Sequence, residues 1–148
     1  MVCPRARRGG RSLKLKKVNY RELNAKQKEL FNFQKLAAVM ADYGFNCIRL
    51  SDDWQGADFL AYHKDGAETL KAQLKSRMTI KKEYMGKDLF LAVPVDGSWY
   101  LVEHYLLVSI IGRYSTWLES ETWKTDGTYS SAKHGVAIRS ALQGYTID

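Results

Sequence analysis

Residues 58–77, DFLAYHKDGAETLKAQLKSR, have few ways to fold, because a turn signal separates two β-rich arms. Asp65-Gly66 is a two-residue turn of the kind that closes hairpins, since both central positions tolerate φ > 0. Residues 67–77 then alternate, with Thr69, Lys71, Gln73, Lys75 and Arg77 on one face and Leu70, Ala72, Leu74 and Ser76 on the other. A turn at 65–66 makes the numbers of paired residues sum to 131, so Lys64 faces Ala67 and Asp58 faces Gln73. Directly opposed residues share a face, with Cβ atoms roughly 4.5–5.5 Å apart. Lys75 lies on that face one pleat further along. The pattern therefore predicts a carboxylate, an amide and an ammonium converging on one patch, and a one-residue slip would scatter them. The alternative for such a face is the solvated side of a sheet.

The chain has 148 residues, enough for one domain with a proper core. It is 45% hydrophobic and 26% charged, the balance of a soluble globular protein. No apolar run approaches the roughly 18 residues of a membrane span. The basic start has no apolar stretch behind it, which argues against secretion and for a cytoplasmic protein, although an Arg-rich, acid-free start also resembles a transit peptide. Cys3 and Cys47 form no C-x-x-C pair and read as reduced thiols.

The charge is +7, and it is unevenly placed. Arg5, Arg7, Arg8, Arg11, Lys14, Lys16 and Lys17 fall in residues 1–17 with no acid among them. Of 23 Lys and Arg, 16 are left to balance 16 Asp and Glu, so the rest of the chain is formally neutral. Residues 1–18 are expected to be a disordered basic arm, suited to lying along phosphates or else a simple solvated extension. Residues 19–148 are expected to form a single domain.

Asn19 and Asn24 each precede a Glu or Gln by three residues, so each resembles a capping box. The main helix is expected over 25–43, burying Leu30, Phe33, Leu36, Ala37, Met40 and Tyr43, with Gly44 as its stop. Residues 45–50 read as a strand and 51–56 as a loop. Asp52 and Asp53 could assist a metal there, or merely end the strand. Trp54 could stack on a base or cover the core. Residues 78–87 read as a lysine-rich connector, which with Lys75 and Arg77 makes a positive field beside the key strand. Two strands follow at 89–93 and 98–102, then a helix over 103–114 with Leu106, Leu107, Ile110 and Ile111 buried. Residues 115–129 show no clean period, and their Trp117, Trp123 and Tyr129 suit packing better than base stacking. A last helix, capped by Ser130 or Ser131, runs through Leu142.

Several chemistries find no motif. There is no phosphate loop, no dinucleotide fingerprint and no nucleophile elbow. His63, His104 and His134 are scattered without metal-ligand spacing.

Asp58, followed fifteen residues later by Gln73-Leu74-Lys75 in an apolar strand, resembles the PD-(D/E)XK nuclease superfamily. GADFLAY looks like the strand bearing the first acid. KAQLKSR looks like the (D/E)-x-K strand, with Gln in the second acid position, as in small homing-endonuclease-like members. The resemblance covers roughly residues 24–108. It implies a restriction-endonuclease-like α/β core, a mixed central sheet of about four to five strands flanked by helices. It also implies a Mg²⁺-dependent (or Mn²⁺-dependent) endonuclease acting on DNA, with RNA not excluded, and no membrane role. The metal ligands would be Asp58, Gln73 and the Leu74 carbonyl, with Lys75 orienting water or stabilising charge on the phosphorus. The first helix of this family often adds an acid, for which Glu29 and Gln34 are the candidates, Gln34 sharing a stripe with Leu30, Ala37 and Ala41. Cutting both strands would call for a homodimer or a higher homo-oligomer.

Two other readings use the same residues. One is a catalytically inactive nucleic-acid-binding module, because Gln73 adds no charge to offset an ion. The other is a protein-interaction domain whose polar strand is incidental.

Overall fold

A computed structural model describes residues 9–148. Among these residues eight strands and three α-helices follow in order: α1 Ala25–Asp42, β1 Phe45–Trp54, β2 Ala57–His63, β3 Thr69–Leu74, β4 Met78–Lys81, β5 Leu89–Val95, β6 Ser98–Glu103, α2 His104–Tyr114, β7 Thr128–Ser131, α3 Val136–Leu142 and β8 Thr146–Ile147. Six strands form one sheet in the order β1-β2-β3-β5-β6-β8, and β4 pairs with β7 in a second, two-stranded sheet. Every pairing in the main sheet is antiparallel except β3 with β5. The expected mixed α/β sheet is present, with six strands rather than four to five. Among the described residues no helix is long and apolar enough to cross a membrane.

Alternating burial divides the core between the two faces of the sheet. On one face α1 packs Leu36 and Met40 against Phe59, Ala61, Leu70 and Ala72. On the other, Leu89, Leu91 and Val93 meet Leu107 and Ile111 of α2, Ile138 and Leu142 of α3, and Met78 and Ile80 of β4. A fully buried Leu, Ile or Met contributes roughly 1.5–3 kcal/mol, so these two layers fix the orientation of β2 and β3 between them.

The hairpin register is as the sequence predicts: Phe59 pairs with Ala72 and Tyr62 with Thr69. Its turn is not. His63 N–H donates to Glu68 at 2.8 Å, Gly66 N–H bonds back to His63, and only Gly66, at φ 75°, is left-handed. Lys64 N–H goes to Gly44 rather than to Ala67. Asp65 instead accepts the Ala67 N–H on its side chain at 3.0 Å, so its short polar group stabilises a wider loop. The register survives because both closures give the same pairing sum.

α1 starts with the full reciprocal capping box of Asn24 and Gln27, whereas Asn19 caps only the 3-10 turn Tyr20–Glu22. Its buried stripe is shorter than expected, since Leu30 and Tyr43 are exposed. β1 extends through the residues read as a loop and turns at Gln55-Gly56, where both φ angles are positive. The lysine-rich connector is largely structured too, with Met78 and Ile80 of β4 in the core. Packing does claim the late aromatics: Trp123 is buried, and Trp117 stacks on Tyr129 at 4.5 Å. The last helix begins at Val136, after Gly135, because residues 128–131 are used as β7. Of the basic arm, residues 9–18 are exposed and carry no helix or strand, and residues 1–8 lie outside the described residues. Cys47 is a free thiol whose pKa burial pushes up to about 11, and Cys3 also lies outside the described residues.

Candidate active site

Two interruptions of the sheet meet at Asp58. Between Arg49↔Phe59 and Trp54↔Ala57, residues 50–53 of β1 stand against Asp58 alone, so β1 bulges away there. On the other side the β2–β3 ladder stops at Phe59↔Ala72. Its hydrogen-bonded pairs recur every second residue from His63/Glu68, so an unbroken ladder would spend the Leu74 N–H on Ala57. The Asp58 side chain takes that N–H instead, at 3.1 and 3.2 Å to its two oxygens. A carboxylate oxygen accepts more than one hydrogen bond, so acceptor capacity remains on both.

The strands part into a cleft of about 440 Å³, lined by Asp58, Gln73, Leu74, Lys75 and Ser76 from the sheet. Ala25, Lys28, Glu29 and Asn32 line it from α1, and Tyr20 from the turn before α1. The acid, amide and ammonium expected on one patch thus share one concavity. Gln73 Oε1 is buried there and has no hydrogen-bond partner among the described residues.

Of the two helix candidates, the structure brings one to the cleft. Gln34 is exposed and is not part of the cleft lining, whereas Glu29 is. The cause is rotation: at roughly 100° per residue, position 34 lies on the far side of α1 from Asn32. Leu30, its stripe-mate, is exposed too. Glu29 is held by Arg49 of β1 at 2.7 Å, and the two residues flank Asp58 in a smaller adjoining space.

The electrostatics of the cleft are set by burial. Burial pushes the Asp58 carboxyl up to about 6; Glu29 and Asp53 add to this, against the Leu74 hydrogen bond and the charge of Lys75. Burial also lowers the Lys75 pKa, helped by neighbouring Lys81 and opposed by Asp58, Asp53 and Glu83. Asp53 is among the charges that act on both groups. An acid held near neutrality opposite a depressed lysine is an arrangement common at functional sites.

Sequence reasoning missed Tyr20 and Tyr84. Tyr20 roofs the cleft by accepting the Asn32 amide at 2.9 Å. The ring of Tyr84 lies under Lys75 Nζ at 5.6 Å and Lys81 Nζ at 5.5 Å. The only signal for Tyr84 was a tyrosine inside the run Lys81-Lys82-Glu83-Tyr84. Elsewhere, a shallow cavity of about 520 Å³ lies between the β5–β6 turn and α3, where Arg139 is already paired with Asp96.

No family model matches this chain, and no curated protein does. Among solved structures, the bacterial homing endonuclease I-Ssp6803I aligns with a TM-score of 0.50 over 83% of this chain and 86% of that one. The two proteins share a fold. Sequence identity to I-Ssp6803I is 15%, so the likeness is one of architecture, a nuclease-like α/β fold extending over most of both chains.

Proposed function

We propose that this protein is a metal-dependent endonuclease that hydrolyses DNA phosphodiester bonds, on a PD-(D/E)XK-type core with Gln73 in the second acid position. The observation that carries the reading is that Asp58, Gln73, Leu74 and Lys75 line one cleft. The fold likeness to a bacterial homing endonuclease supports it.

The residues present fit a hard divalent ion. The buried, unpartnered Gln73 Oε1 and the Asp58 carboxylate are oxygen donors of the kind Mg²⁺ takes, and Mn²⁺ accepts the same set. Asp58 and Gln73 would hold the ion, with the Leu74 carbonyl as a further donor. Such an ion, when bound, neutralises phosphate charge and makes a bound water more acidic. The rest falls to the chain. Asp58, charged above about pH 6, supplies the local negative charge. Lys75 directs its ammonium at the oxygens that gain charge as the phosphorus is attacked. Tyr20, Lys28 and Asn32 form the opposite wall against which the backbone is placed. Cutting both strands requires two such clefts, so a homodimer is the assembly that fits the reaction.

One observation favours a second reading. Among the described residues no group of three His, Cys, Asp or Glu could hold a metal. With Gln73 neutral, the same face could bind nucleic acid without cutting it. Incubation of plasmid DNA with Mg²⁺ or Mn²⁺ separates the two readings. The endonuclease nicks plasmid, while Asp58→Ala and Lys75→Ala lose roughly 100-fold or more in rate. Equal activity in all three discards the assignment. Salt-dependent binding that survives Asp58→Ala, with no cleavage in either ion, establishes the binding module. A parallel RNA substrate decides the nucleic acid.

A further inference from the structure

We propose that Tyr84 is a positioning residue for this cleft: its ring seats the Lys75 ammonium beside Asp58 and carries the Lys81 ammonium as well. The consequence for cleavage rests on the endonuclease reading, whereas the seating itself does not.

Both Nζ atoms lie within the roughly 6 Å over which an aromatic face attracts a cation, at 5.6 and 5.5 Å from the ring centroid. Lys75 follows the end of β3 and Lys81 ends β4, so strand pairing does not bring the two ammoniums together. Their mutual repulsion would drive them apart in water. Each lies over the same ring.

That ring is held from two sides. Tyr84 is 4% exposed. His104, the first residue of α2, packs edge-on against it at 5.4 Å and 85°. The same His104 accepts the backbone N–H of Lys81 through Nε2 at 3.2 Å, fixing the residue whose side chain returns to the ring. Gly56, at the β1–β2 turn two residues before Asp58, comes so close that a Cβ there would stand 3.1 Å from two Tyr84 ring carbons. One aromatic plane thus joins the turn that leads to Asp58, the end of β3 and the end of β4. Glu83, 3.5 Å from Lys81 Nζ, offsets part of the repulsion.

A lysine has a flexible four-carbon stem and loses rotamer freedom whenever its ammonium is fixed. A seat that fixes it beforehand lowers the barrier for the step that uses it.

The test uses metal-free protein with ¹³C-labelled lysine, followed by cleavage. Protons above an aromatic ring are displaced upfield, so the ε-CH₂ signals of Lys75 and Lys81 should be displaced in the wild type, beside those of Lys28, Lys35 and Lys82, which lie over other rings. Lys75→Met and Lys81→Met assign the pair over Tyr84. Tyr84→Phe keeps both displaced signals and Tyr84→Leu loses both. In cleavage, Tyr84→Phe stays within about twofold of wild type, while Tyr84→Leu loses roughly tenfold in kcat with KM changed less than about threefold. Tyr84→Leu empties core space, so its melting temperature is checked, and the wild-type signals test the seating without it. Undisplaced Lys75 and Lys81 signals in the wild type overturn the proposal. So does a wild-type kcat in Tyr84→Leu, or Tyr84→Phe failing as badly as Tyr84→Leu. If wild type, Asp58→Ala and Lys75→Ala cleave alike, the endonuclease reading falls, and the ring displacement still decides the seating.

Discussion

Both oxygens of the Asp58 carboxylate accept the backbone N–H of Leu74, the residue between Gln73 and Lys75. The acid of one strand is thereby pinned to the strand that carries its two partners. The bond favours the charged form, yet burial outweighs it and holds the carboxyl at about 6, above its ordinary 3.8.

Stability should therefore respond to pH in a defined direction. Between pH 3.8 and 6 the folded chain binds more of the Asp58 proton than the unfolded chain does, so this group's contribution falls as pH rises through that window. His104 acts oppositely. Burial lowers its pKa from 6.5 to about 4, so its contribution falls as pH drops through that range. Asp58→Asn should raise stability at pH 7.5 by about 1–2 kcal/mol, because a buried charge is removed. It should remove the Asp58 part of the acid response, leave the opposing part to which His104, His134 and Asp65 contribute, and abolish cleavage. Thermal melts from pH 4 to 8 check the first two, and metal binding by wild type should rise through pH 6.

Lys81 holds the Lys75 pKa down, second only to burial. Lys81→Met should raise the Lys75 pKa, and Asp58→Asn should lower it further, since Asp58 pulls the other way. Titration of the Lys75 side chain by NMR reads both signs in metal-free protein.

Gly56 and Gly66 both have positive φ, at 86° and 75°, but different surroundings. A Cβ on Gly66 meets nothing within 4 Å, whereas one on Gly56 meets the Tyr84 ring and Leu89. Gly66→Ala should cost about 1 kcal/mol of backbone strain. Gly56→Ala should cost roughly 2–4 kcal/mol, as overpacking adds to the strain. Urea unfolding compares the two, and only Gly56→Ala should also slow cleavage.

Gln73 Oε1 is buried without a partner among the described residues, so replacing it with a carboxylate changes charge more than shape. Gln73→Glu should destabilise the metal-free protein and bind Mn²⁺ roughly tenfold or more tightly, since a charged donor offsets the ion where an amide does not. Calorimetric titration gives the affinity, and unchanged binding would place the ion elsewhere.

The hairpin was legible because alternation and register are local: the pairing of Phe59 with Ala72 follows from the sequence spacing alone. Asn24 and Gln27 announced α1 for the same reason. The rest depended on distant partners. Thr128–Ser131 form a strand only because β4 offers an edge to them, and Thr146–Ile147 because β6 does. Gln34 was misplaced because its stripe-mate Leu30 is an apolar residue that the fold leaves exposed. Tyr84 carries no periodic signal, and its role exists only where Gly56, Lys75, Lys81 and His104 converge.

The one parallel pairing among the described residues, β3 with β5, has a consequence for the order of events during folding. The hairpin ending at Leu74 can form early, because its contacts are short-range. The crossover to Leu89 carries β4 and Tyr84, and β4 gains its partner only where Lys81 meets Thr128, far along the chain. Asp58 and Gln73 can thus stand opposite each other well before the second lysine arrives. A nascent or truncated chain would display the acid without its full set of cations.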